Sequence, residues 1–221
     1  MKTWSFWGDR VHLILDSICN LWNLETLDMG NSEIKCLQKG KWKLQKLRHL
    51  YLDGPTYLPK TDNKAGLPNL QVLTGIDLNE DTESLFAKAR FPNVRKLRLH
   101  SSNWRESKLL SSLHPLRHLQ TLKIYEILHL SSPLSFQLSL TKITLERTDL
   151  LQAMKVLCSL TNLRMLEVVG GVHQNPSFVL KAVFVNLKSL KWQMWMFYNG
   201  LCRKVQCQVF NVWSWPVANF L

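Results

Sequence analysis

The feature that most restricts what this chain can fold into is a nine-residue phrase that returns eight times. It reads LWNLETLDM at 21–29, LQKLRHLYL at 44–52, LPNLQVLTG at 67–75 and FPNVRKLRL at 91–99. It continues as LRHLQTLKI at 116–124, QLSLTKITL at 137–145, LTNLRMLEV at 160–168 and FVNLKSLKW at 184–192. Each copy is apolar-x-x-apolar-x-x-apolar-x-apolar. With the third apolar position as marker, Leu27, Leu50, Leu73, Leu97, Leu122, Ile143, Leu166 and Leu190 follow at intervals of 23, 23, 24, 25, 21, 23 and 24 residues. Gly75 and Gln137 break the pattern, so 30 of its 32 positions are apolar, about twice what a 46% apolar composition gives by chance. The last two apolar positions are two apart, which puts both on one face of a short strand. No single unit can bury its apolar set alone, so the units must stack on one another. Intervals of this length leave room for the crossovers that parallel strands need.

A repeat of 20–29 residues with this spacing is identified as a leucine-rich repeat. The expected fold is an α/β leucine-rich repeat solenoid, a curved horseshoe with a parallel β-sheet on its concave face. Five residues beyond the markers, where many such proteins keep an Asn, stand Ser32, Pro55, Leu78, Ser102, Ile127, Thr148 and Gly171. That broken polar ladder predicts an irregular convex side with few short helices. About eight repeats occupy residues 17–193. Residues 1–16 form an atypical N-terminal segment, and 194–221 a non-repeat, poorly ordered tail in which no ninth repeat arrives near position 213.

From LQKLRHLYL at 44–52, preceded by SICNLWNLETLDMGNSEIKCL at 17–37, the resemblance becomes narrower. The phrases NLWNLETLD, KLRHLYL, LPNLQVL and FPNVRKLRL resemble, in that order, the repeats of plant intracellular nucleotide-binding disease-resistance receptors of the coiled-coil subgroup. The resemblance implies a protein-recognition module of innate immunity that captures a pathogen effector or a guarded host protein. It also implies that, in a full receptor, the same module restrains the nucleotide-binding module, and it places the protein in the cytoplasm. The phosphate cradle G-x-x-x-x-G-K-[ST] that such a module needs is missing, since Gly40-Lys41 is followed by Trp42. The chain therefore reads as a truncated recognition fragment with no cofactor. An F-box-type or signalling scaffold selecting protein substrates is the alternative.

Charge gives the candidate surfaces. Lys and Arg number 28 against 16 acids, a net +12. Residues 35–48 carry six cations and no acid, among them Lys39, Lys41, Lys43, Lys46 and Arg48, a candidate contact for a partner or the nucleotide-binding module. Residues 88–108 hold a second excess. On the open sheet face, the positions one before, one after and three after each marker include Lys96, Arg98, His100, Lys123, Tyr125 and Lys142, with Glu146 as the nearby acid. Together with Tyr51 they are the expected partner-binding residues, because interface hot spots favour Tyr, Trp and Arg. The same register also places Ile76 on the solvent side.

Other readings are weaker. No apolar run reaches the roughly 18 residues of a membrane span, and the start is too charged for a signal peptide. Five scattered cysteines give no disulfide framework, and Asn175 precedes Pro176, so no glycosylation acceptor argues for an extracellular receptor. His114 and His118 have the spacing of a helical zinc pair but flank Pro115. Cys202 and Cys207 lack a second pair. Asp77, Glu80, Asp81 and Glu83 read as a solvated acidic loop. No nucleophile elbow or carboxylate pair suggests an enzyme. The high pI permits nucleic-acid binding, but no recognition motif supports it.

Overall fold

The computed structural model describes residues 2–7, 18–31, 34–37, 39–60, 66–101, 112–125, 139–147, 157, 160–173, 188–198 and 201–210. Every marker residue lies within a strand. The strands are β1 (Thr3–Trp7), β2 (Thr26–Asn31), β3 (His49–Leu52), β4 (Val72–Asp77) and β5 (Lys96–His100). They continue with β6 (Thr121–Tyr125), β7 (Lys142–Glu146), β8 (Met165–His173), β9 (Ser189–Tyr198) and β10 (Leu201–Phe210). Among the described residues they form one ten-stranded sheet in chain order, β1 to β10.

Register follows the markers one for one. Leu27 pairs Leu50, Leu50 pairs Leu73, Leu73 pairs Leu97, and the line runs through Leu122, Ile143 and Leu166 to Leu190. The side chains from Leu27 to Leu166 in this line are buried in a single core, each burial contributing on the order of 1.5–3 kcal/mol. A second buried line, Leu52, Ile76, Leu99, Ile124, Leu145 and Val168, lies two residues beyond the markers, or three at Ile76. The residues preceding each strand repeat one hydrogen-bonding device. The Glu25 carbonyl accepts from both Arg48 and His49 N–H at 2.8 and 3.0 Å, and the Arg48 carbonyl from Gln71 and Val72 at 2.7 and 3.0 Å. The same pairing recurs up to the Arg164 carbonyl, which accepts from Lys188 and Ser189 at 2.8 and 3.0 Å.

Strand pairing extends beyond the repeat-based boundaries at both ends. Within the segment 1–16, β1 pairs in parallel with β2 and places Trp4 opposite Leu27, packed against the core. Trp4 lies 23 residues before Leu27, so the period continues with an aromatic in place of an aliphatic marker. Within the stretch expected as a poorly ordered tail, β9 continues to Tyr198 and β10 runs back along it, antiparallel, from Leu201↔Tyr198 to Phe210↔Ser189. Between the two strands the sequence reads Asn-Gly at 199–200, the pair that two-residue hairpin connections favour.

Two further departures concern the middle of the chain. Ile76 is not on the solvent side but fully buried, 0% exposed. Between Leu73↔Leu97 and Ile76↔Leu99 the register shifts by one residue, and Gly75, at φ +73°, occupies the shift. A glycine at positive φ is what such a bulge requires. The extra residue explains why Gly75 broke the apolar pattern and returns Ile76 to the core line. The acidic stretch after β4 is a helix rather than a loop, α1 (Glu80–Ala87). Asn79 caps it through its side-chain oxygen, which accepts the Thr82 N–H at 2.9 Å, and Glu80, Asp81 and Glu83 fill its first turn. Negative charge there complements the positive end of the helix dipole. Leu85 and Phe86 bury its inner side.

A Cβ on Gly75 would come within 2.2 Å of the Leu52 carbonyl oxygen. Gly75→Ala should therefore cost roughly 1–3 kcal/mol of stability from backbone strain alone. Urea unfolding of the variant beside the wild type measures it, and an unchanged midpoint would contradict the bulge.

Candidate partner-binding face

The side chains that alternate with the two buried lines form the open face of the sheet, arranged in columns by strand register. One column runs His49, Val72, Lys96, Thr121, Lys142 and Met165. The next carries Arg98, Lys123, Thr144, Glu167 and Lys191, and a third Asp77, His100, Tyr125, Glu146 and Val169. The open face is not uniformly wet. Thr26 and Thr144 are buried, and the Thr26 hydroxyl is hydrogen-bonded to His49 Nδ1 at 3.0 Å.

β5 and β6 bring four of the expected residues into one assembly around Tyr125. The His100 ring stacks on the Tyr125 ring with centroids 4.5 Å apart and planes 7° apart. The Arg98 guanidinium lies 4.7 Å from the Tyr125 centroid, and its Nη2 donates to the Tyr125 hydroxyl at 3.0 Å. From Tyr125's own strand, β6, Lys123 Nζ sits 4.9 Å from the same centroid. Cation–π attraction of this kind contributes about 0.5–2 kcal/mol per pair, more where water is displaced. Lys96 is exposed on β5, two residues before Arg98. Tyr51 does not join this group: it lies on β3, with β4 between it and β5, and stacks instead with His49 at 6.2 Å.

The expected basic centre is partly neutralised by acids from the next strands. Lys123 Nζ meets Glu146 at 2.5 Å. Lys142 lies 3.8 Å from Glu167, which also takes Lys191 at 2.9 Å. A window along the chain separates Glu167 and Lys191 from the centre, whereas reading down the register column brings them in. Burial disfavours the Lys123 ammonium, but hydrogen bonds to Glu146 and Tyr125 outweigh it and raise its pKa. Burial likewise opposes the Glu167 carboxylate, yet Lys191, Lys142 and Lys123 together hold its pKa below the usual range.

The second basic stretch is structurally separate. Lys39 and Lys41 lie in a 3₁₀ turn, Lys39–Lys43, and Lys43, Lys46 and Arg48 are exposed before β3. Lys46 Nζ donates to Asn23 Oδ1 at 2.7 Å. Trp22, 69% exposed, lies beside Asn23 in sequence. On the same side a ladder of polar side chains ties successive repeats. Asn69 Nδ2 donates to the Gln45 carbonyl at 2.8 Å and Asn93 Nδ2 to the Pro68 carbonyl at 2.7 Å. The ladder sought after the strands thus exists ahead of them, in the N of LPNL and FPNV. Among the described residues no His, Cys, Asp and Glu cluster could hold a metal ion. Nor is any helix there long and apolar enough to cross a membrane.

Comparison with known proteins agrees with this geometry. The family described as "Leucine-rich repeat region" matches residues 5–152, well over half of the chain. The chain belongs to the leucine-rich repeat family. These leucine-rich repeats are similar to those of Late blight resistance protein R1-A of Solanum demissum, 39% identical over 94 aligned residues that cover 38% of this chain and 7% of that protein. They are also similar to two putative late blight resistance protein homologs, again of Solanum demissum. Each is 29% identical over 194 residues, covering 80% of this chain and 13% of the relative. The chain thus spans a small part of the length of the curated relatives it matches.

The ion pairs on this leucine-rich repeat face predict a pH dependence. Glu167 has a lowered pKa in the folded state, so its contribution to stability is full above its unfolded value near 4.5 and is lost as pH falls through the lower folded value. Thermal midpoints taken from pH 6 to about pH 3 should fall less steeply for Glu167→Gln than for the wild type. Parallel curves would show that the pairing contributes nothing.

Proposed function

We propose that this leucine-rich repeat chain is a non-enzymatic protein-recognition module of a plant innate-immunity receptor, acting inside the cell. Its open sheet face binds a pathogen effector or a guarded host protein, with Arg98, His100, Tyr125, Lys123 and Lys96 at the centre, Lys142 beside them and Tyr51 at the edge. In a longer receptor, the exposed cations Lys43, Lys46 and Arg48, with Lys39 and Lys41 in the adjoining turn, contact the nucleotide-binding module and help restrain it. The observation that carries the reading is the Arg98–Tyr125–His100 assembly. A stacked, hydrogen-bonded aromatic and guanidinium group on an open face is a preformed hot spot, since little side-chain freedom is left to lose on binding. The similarity to late blight resistance proteins supports the immune setting.

A protein partner recovered from infected leaf tissue and titrated against the purified chain tests the face. Arg98→Glu with Lys123→Glu should weaken binding by roughly tenfold or more, because each reversal faces the partner with the wrong charge. An affinity unchanged by the pair would place recognition elsewhere. Lys43→Glu, Lys46→Glu and Arg48→Glu together should speed nucleotide exchange in a receptor carrying these repeats, read by release of labelled nucleotide. An unaltered rate would remove the restraining contact.

A further inference from the structure

Among the described residues of the open face, the lysines of β6, β7 and β9 have carboxylate partners, whereas the cations of β5 do not. Lys123 has Glu146, while Lys142 and Lys191 share Glu167. On β5, Lys96 lies between Val72 and Thr121 in register, and Arg98 beside Lys123, so no register neighbour of either is acidic. Neither makes an ion pair with a described carboxylate. Two cations two residues apart on one strand therefore point the same way, while Glu146 and Glu167 are engaged by other lysines and Asp77 stands in register with His100.

The Arg98 guanidinium is also held in one orientation. Its Nε is covered by protein and has no acceptor among the described residues, while Nη2 donates to Tyr125. The outer end of the fork is what a ligand meets, and a planar carboxylate matches it with two parallel N–H···O bonds. The Tyr125 oxygen accepts from Arg98, which leaves its own O–H to donate outward to an acceptor.

We propose that Lys96, Arg98 and the Tyr125 hydroxyl form a carboxylate-binding subsite that takes an Asp or Glu from an acidic segment of the partner protein. This rests on the reading of the open face as the binding surface and adds the chemistry of what is bound. The Arg98 fork holds the carboxylate, the Tyr125 O–H adds a third donor, and Lys96 supplies the remaining charge from the exposed side. A phosphodiester chain fits the same cations less well. Nucleic acid gains affinity by neutralising many phosphates along a continuous track, whereas here Glu146 and Glu167 follow within the next three strands. The site suits one or two negative charges beside the flat His100–Tyr125 surface.

The full 221-residue chain panned against a random peptide display library at about 150 mM salt tests this without a known partner. Enriched peptides should carry Asp or Glu. By fluorescence anisotropy their affinity should drop about tenfold or more for Lys96→Gln with Arg98→Gln, and several-fold for Tyr125→Phe. Arg98→Lys, which keeps the charge and loses the fork, should also weaken them, while Lys60→Gln with Asp81→Asn, which removes an ion pair outside this face, should leave them within about twofold. Replacing the peptide's acid by its amide should cost the wild type the same factor and the Lys96/Arg98 variant almost nothing. Peptides that lose binding with Tyr125→Ala but carry no acid, or ignore Lys96 and Arg98, would overturn the carboxylate subsite while leaving the face as the binding surface. Peptides indifferent to every variant on this face would overturn both. Duplex DNA or RNA that displaces them through Lys96 and Arg98 with higher affinity would overturn the choice of an acidic protein segment.

Discussion

Lateral stacking of one repeat on the next is the constraint from which the rest of this structure follows. A single 23-residue unit buries almost nothing by itself; its leucines become core only when Leu27, Leu50 and Leu73 lie side by side in register. The backbone enforces the same alignment independently, through carbonyls such as those of Glu25 and Arg48 that each accept two N–H groups from the following repeat. The Asn69 and Asn93 side chains add a third tie between neighbours. Three unrelated interactions fix one translation. The open face consequently inherits a register accurate to one residue, and that accuracy lets Arg98, Tyr125 and His100 meet.

How the face acquires its chemistry is a matter of columns rather than of runs along the chain. Arg98 and Lys123 are adjacent in space although a full repeat separates them in sequence. Their repulsion is relieved because Lys123 turns to Glu146 and Arg98 leans on an aromatic ring. Half-buried ion pairs in a solvated groove contribute modestly to stability. Their larger effect is on selectivity, since they remove lysines from competition for an incoming anion and leave a smaller, better-defined positive spot.

The solenoid and its parallel sheet were legible because the signal is purely periodic: two apolar positions two apart, repeated at near-constant spacing. Features that break the period without breaking the fold were hidden. Trp4 kept the spacing but changed the residue class, Gly75 inserted one residue, and the strand after Leu201 ran the other way. Local chemistry could have exposed each of them, through the 23-residue interval to Leu27, a lone glycine inside an apolar phrase, and Asn199-Gly200 between two β-prone stretches. Helix α1 was likewise written in Asn79 followed by three acids in one turn, a capping pattern that charge counting alone reads as solvated loop. For the face, which residues point outward followed from alternation. Which of them touch depended on rotamers and cross-strand pairing, and these have no one-dimensional signature.

The Gly75 bulge has a consequence for how such arrays change. A single added residue inside a strand would ordinarily swap inside for outside over the rest of that strand. A glycine able to take a left-handed backbone absorbs the addition on the spot, and Ile76 keeps its place in the core. Repeats built this way can gain or lose one amino acid without unravelling the scaffold, so length variation becomes a means of re-aiming a few surface groups, here from Thr74 to Asp77, while the hydrophobic spine stays untouched.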